Sequence, residues 1–159
     1  MYRNSSDKRV KHTADKLFDA IEHLLASKTF DAIGIKEISD LAGIGRATFY
    51  RNFDYVEDIL KLRLDEKFEE LSLQVDKGSQ TPLNNLEPFF TFWVNNSNIL
   101  QVLIKADKWS IFTTKFTAEA EGSIDEIAMY VEHDPKFDQY LHTIFGGMVT
   151  SVLQTWVAR

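Results

Sequence analysis

The 159 residues contain no cysteine. That absence removes disulfide frameworks, zinc–thiolate sites and thiol nucleophiles from the possible chemistries. Long apolar runs are missing as well. No segment approaches the roughly 20 residues of a membrane span. The opening MYRNSSDKRVKHTADK is polar and lacks the apolar centre of a signal peptide, so a cytoplasmic location and no membrane partner are expected. No segment alternates convincingly enough to make a strand, and there is neither an internal repeat nor a low-complexity tract. The histidines His12, His23, His133 and His142 form no metal-ligand pair at helical spacing on one face. The chain has no P-loop and no Gly-x-Ser-x-Gly. Gly43-Ile44-Gly45 fails as a dinucleotide loop because Thr48 stands where the third glycine belongs and a helix precedes it. No catalytic residue, metal or cofactor is therefore expected, and an enzyme is disfavoured.

What is present is enough apolar material for a core. Apolar residues make up 44% of the chain and aromatics 13%, so disorder is not the default. The net charge is −6 but unevenly placed. Residues 1–53 hold nine basic and seven acidic side chains, net +2, and the remainder nets −8. A mildly basic head on an acidic body is a better indicator of nucleic-acid binding than the total.

The apolar spacing predicts an all-α chain, with a three-helix head over 1–55 and a helical body over 56–159. A first helix over about 8–27 shows Ala14, Leu17, Phe18, Ile21, Leu24 and Leu25 at three- and four-residue intervals. A second starts near Ile35 with Ile35, Ile38, Leu41 and Ala42 facing inward, and Gly43 ends it in the left-handed conformation that glycine adopts freely. A third covers about 46–52, anchored by Ala47, Phe49 and Phe53; it is too short to be stable alone. A fourth runs from about Val56 to Asp76 along Val56, Leu60, Leu64, Phe68, Leu71 and Val75, and Gly78 stops it. GSQTPLNN is the one convincing linker. Pro88 sits near the start of the aromatic LEPFFTFWV helix, and Ser97 can cap the next. A helix from Trp109 is expected to end at Gly122, with a short helix after it from the capping-box pair Ser123 and Glu126. Asp134-Pro135 reads as the cap and first residue of the last helix.

The stretch IKEISDLAGIGRATFYRNF, Ile35 to Phe53, has the parts of a helix-turn-helix: a small residue at the crossing (Ala42), a turn glycine (Gly43), an apolar plug (Ile44) and an exposed polar helix. A short helix carrying such side chains is suited to a major groove. Its details resemble the DNA-binding head of the TetR family of bacterial transcriptional regulators, over about residues 8–64. Ile38-Ser39-Asp40-Leu41-Ala42-Gly43-Ile44 and Arg46 through Phe53 carry the resemblance, followed by Glu57-Asp58-Ile59-Leu60. The resemblance implies that Arg46, Ala47, Thr48 and Tyr50 lie against the groove. It implies that Tyr50 and Asn52 touch phosphates and that Arg46 and Arg51 reach bases or phosphates. The resemblance also implies that Ile35 and Lys36 start the second helix near the DNA backbone. The chain departs from the family pattern at three positions. Gly34 stands where threonine is frequent, Gly45 where serine is frequent, and Val56 where a phosphate-gripping lysine is usual. Tyr55, Arg3, Lys8 or Arg9 would compensate.

The same resemblance implies a homodimeric repressor released by a small apolar or aromatic effector; an adaptor or activator working through a protein partner is the alternative. FGGMVTSVLQTWV looks like the last helix of small family members. Phe145, Gly146, Gly147, Met148, Val149, Val152, Leu153 and Trp156 are the interface residues expected there. Phe89, Trp93, Trp109, Phe112, Phe116 and Tyr140 are the expected effector-pocket lining.

Overall fold

The computed structural model describes the backbone of residues 8–74, 86–128 and 135–159, with side chains except those of 121–139 and 142. Among the described residues there are eight α-helices and no strand. The expectations for Val75, Asp76, Gly78, the GSQTPLNN linker, His133 and the Asp134 cap lie outside them.

Helix α1 (Lys8–Leu24) buries Val10, Ala14, Leu17, Phe18, Ile21 and Leu24. It stops about one turn before the expected end, where Ser27 and Lys28 turn their backbone N–H groups back onto the Leu24 carbonyl. A single 3-10 turn, Phe30–Ala32, drops Phe30 into the core. Helix α2 (Ile35–Ala42) ends at Gly43, with φ +65° and ψ +32°. The Ile44 N–H returns to the Ser39 carbonyl at 2.9 Å, which satisfies an otherwise orphaned helix-end acceptor. Helix α3 (Arg46–Asn52) follows at once.

Helix α4 (Glu57–Gln74) buries Ile59, Leu60, Leu62, Leu64, Phe68 and Leu71. These residues do not share one face, because α4 packs against α1 and also against α5, α6 and α7. It is thus the spine common to head and body. The body comprises α5 (Leu86–Asn95), α6 (Ser97–Lys105), α7 (Trp109–Ala128) and α8 (Pro135–Val157). Its centre is aromatic. Trp93 is fully buried, with ring centroids of Phe68 at 5.1 Å and Phe112 at 5.0 Å. Phe116 extends the cluster to Phe145 of α8 at 6.4 Å.

Four sequence expectations need correction. Ser97 does not cap α6; Asn96 holds the N-cap position and Ser97 is the first helical residue. Leu41 does not face inward; it is 49% exposed, and Ser39 is buried instead. At about 100° per residue, Ile35, Ile38, Ser39 and Ala42 share one side of α2 and Leu41 falls outside it. Ala47 is exposed rather than an anchor, since it lies about 160° around α3 from the buried Phe49. Gly122 does not end its helix, because α7 continues to Ala128. An interior glycine costs about 1 kcal/mol relative to alanine, which is small against the packing of α7 along α8.

Candidate nucleic-acid interface

Helix α3 has two sides of opposite character. Phe49, Asn52 and Phe53 point into the protein and are buried, with the two phenyl rings 5.7 Å apart. Arg46, Ala47, Tyr50 and Arg51 point outward and are exposed, and Thr48 is half-buried at the margin. Among the described residues no carboxylate pairs with Arg46 or Lys36, so both cations are available to an anion. Arg51 makes one long contact, Nη2 to Thr48 Oγ1 at 3.4 Å. Tyr50 is 56% exposed and Tyr55 70%, so both rings flank this face without a packing role for most of their surface. Ile35 is half-buried against the core, and Lys36 beside it is exposed.

Asn52 departs from the sequence expectation. It is buried, and its Nδ2 donates to the Thr48 carbonyl at 3.0 Å. Its amide is used to hold the C-terminal turn of α3, and it does not face outward with Tyr50. Residue type misled here, because an asparagine in a polar helix suggests exposure. Its position, three residues after Phe49 and next to Phe53, was the better guide.

Asp58 orients α3 relative to α4, a role the sequence reading did not assign. Its side chain is buried, and Oδ2 accepts the backbone N–H groups of Asp54 and Tyr55, each at 3.1 Å. Burial opposes its ionisation. Hydrogen bonds to the charged form, those from Tyr55 and Asp54 among them, hold its carboxyl below the ordinary carboxylate value. The charge also sits in the first turn of α4, where the helix dipole favours it. On the other side of the motif, Lys28 Nζ binds Glu37 Oε1 at 2.6 Å and secures the start of α2. Arg63 joins α4 to α1 through Asp15 at 2.7 Å.

The positions that depart from the family pattern are now placed. Gly34 and Gly45 are the N-caps of α2 and α3, and neither end has a side-chain cap. A Cβ at either would meet nothing within 4 Å, so packing does not require glycine there. Val56 is half-buried against the core just before α4.

A family model described as bacterial regulatory proteins, tetR family, matches residues 17–61, from the middle of α1 into α4. That stretch of the chain is therefore similar to the TetR-family DNA-binding module. An uncharacterized HTH-type transcriptional regulator of Haemophilus influenzae is 25% identical over 143 residues, covering 84% of this chain and 70% of that protein. The crystal structure of Lin0861 from Listeria innocua has the same fold, with a TM-score of 0.72 at 24% identity over 96% of this chain and 82% of that one. The family model and the relative's printed name both point toward DNA-binding transcriptional regulation.

Beyond the matched stretch, the last helix divides its apolar residues between two sides. Val149 and Leu153 are buried in the chain's own core. Gly146 is also turned inward, where an added Cβ would lie 3.3 Å from Thr117 Oγ1 of α7. These three are therefore occupied within the chain, contrary to the expectation of a subunit interface. Gly147, Met148, Val152 and Trp156 are exposed, and Phe145 is half-buried. Ile144, which the sequence reading passed over, is exposed on the same side. Of the expected effector lining, Phe89, Trp93, Trp109, Phe112 and Phe116 fall in one aromatic cluster. Tyr140 does not share their burial, being 63% exposed. Among the described residues no helix is long and apolar enough to cross a membrane.

Proposed function

We propose that this regulator binds operator DNA as a homodimer, with α3 of each subunit in a major groove. In this reading the head, residues 1–55, reads DNA and the body, 56–159, dimerises and responds to a ligand. The observation that carries it is the two-sided α3, whose buried Phe49 and Phe53 leave Arg46, Ala47, Tyr50 and Arg51 facing outward. A single bidentate arginine–guanine contact contributes about 1–3 kcal/mol of discrimination. The exposed ridge Tyr140, Ile144, Met148, Val152 and Trp156 on α8 supports the dimer. Its four-residue spacing suits ridge-into-groove packing on a second helix. Such a pair would set two recognition helices about 34–36 Å apart.

Repression relieved by a small effector fits the aromatic centre of the body. Trp93 Nε1 is fully buried there without a hydrogen-bond partner among the described residues, so an effector carrying an acceptor has a donor to meet. Release then requires that the effector bind the DNA-incompetent arrangement more tightly. Lys108, in the α6–α7 turn, offers a mechanical link to the head through Asp31 at 3.5 Å and to the start of α4 through Glu57 at 3.9 Å. A role on DNA places the protein in the bacterial cytoplasm.

The adaptor or activator reading draws on Gly34, Gly45 and Val56, where two hydroxyls and a lysine that would grip phosphates are replaced. Gel retardation with DNA from upstream of its own gene, at low salt and without ligand, separates the two. The intact protein is expected to retard that DNA. Arg46→Ala and Tyr50→Ala each abolish the specific shift and leave the melting temperature nearly unchanged. No retardation by the folded wild type favours the adaptor.

A further inference from the structure

A cleft of about 210 Å³ opens where α1, α4 and α7 meet, apart from the α3 face. Four carboxylates line it, Asp65, Glu66, Glu69 and Glu119, against two lysines, Lys11 and Lys115. Lys115 is well paired, at 3.0 Å from Asp65 and 2.8 Å from Glu119. Lys11 is not. Its Nζ lies 3.7 Å from Glu66 Oε1 and 3.8 Å from Glu69, both beyond hydrogen-bonding distance.

Glu66 is the informative residue. It is only 7% exposed, and its Oε2 accepts from Arg63 Nη1 at 2.7 Å. Its Oε1 is buried without a hydrogen bond among the described residues. A buried carboxylate oxygen without a donor is costly, and the loosely held, 40% exposed Lys11 ammonium can leave it at little cost. Leu62 and Phe68 supply an apolar wall beside the carboxylates. The volume falls below the roughly 300–1,000 Å³ of pockets for drug-sized molecules, so the ligand is small. Among the described residues no three metal-ligating side chains converge closely enough to hold a metal ion. An N–H donor with a short hydrocarbon chain therefore fits better than a bare cation.

We propose that this cleft binds a small aliphatic ammonium ligand. Its N–H groups replace Lys11 at Glu66 Oε1 and Glu69, and its methylenes lie on Leu62 and Phe68. The site spans head helix α1 and body helices α4 and α7, and it meets the aromatic cluster at Phe68, whose ring packs against Trp93 and Phe112, sharing that one residue with it.

Isothermal titration of the full chain with 1,4-diaminobutane tests this, with butane-1,4-diol reporting on the hydrocarbon chain alone and Mg2+ on charge alone. Saturable diamine binding is expected, with no diol binding and no equivalent competition by Mg2+. Glu66→Gln, which keeps an oxygen for Arg63, and Glu69→Gln should each weaken the diamine at least tenfold. Glu69 is on the surface, so its variant decides the matter even if the Glu66 variant fails to fold. No saturable binding, displacement by Mg2+ at matched concentration, or an unchanged affinity in Glu69→Gln overturns the proposal.

Discussion

At the scale of single residues, the head depends on side chains that do structural work close to the outward face of α3. Asp58 ties the α3–α4 turn to the start of α4 through two backbone N–H groups. Because its folded pKa is lowered, the stability it contributes is fully present above the unfolded carboxylate value of about 3.9. That contribution is lost as pH falls through the folded value. Asp58→Asn should therefore cost about 1.5–3 kcal/mol at neutral pH, the range for hydrogen bonds to a charged group. It should also flatten the acid limb of a denaturation-versus-pH series, while an acid limb identical to wild type would remove Asp58 from this role. Arg46, only three residues from Phe49, is exposed at the first position of the helix. The outward Tyr50 and Arg51 were legible in the sequence, since they lie about 100° and 160° around α3 from Phe49. Asn52 was not, because its inward position follows from helix geometry and its amide finds a carbonyl there.

At the scale of elements, three- and four-residue apolar spacing was enough to find α1, α3, α4 and α8 to within a turn or so. It failed where packing overrides local signals. α7 runs through Gly122 because it lies along α8, and no local residue announces that neighbour. α2 buries Ser39 in preference to Leu41 because its short length is oriented by the turn at Gly43. For α8, the sequence marks an apolar helix, but only the fold separates its inward Val149 and Leu153 from its outward Met148 and Val152. The two sides should respond differently to substitution. Leu153→Ala should lower stability by about 2–5 kcal/mol, as buried leucine truncations do. Met148→Lys should retain the helical circular dichroism and convert a dimer to a monomer by analytical ultracentrifugation. A Met148→Lys protein sedimenting as the wild type does would exclude this face from the interface.

At the scale of the whole molecule, one helix joins head and body. α4 packs on α1 in the head and on α5, α6 and α7 in the body, so under the proposed function it is the path by which a shift in the body would reach α3 through the Asp58 turn. The charge pattern fits this division, with the acidic excess in the body and net positive charge over the first 53 residues. The head's likeness to the TetR family was legible from the run through α2 and α3, and the family match stops at residue 61. Which apolar faces of the body close on themselves and which stay open depends on packing between distant helices. The most direct measurement is a footprint of the intact protein on the promoter beside its gene. Two protected stretches on one face of the duplex are predicted, centred about one helical turn apart as two-fold symmetry requires, and both disappear with Arg46→Ala. Folded protein that leaves that DNA unprotected at low salt, or protection unchanged by Arg46→Ala, would contradict the assignment of α3 as the reading helix.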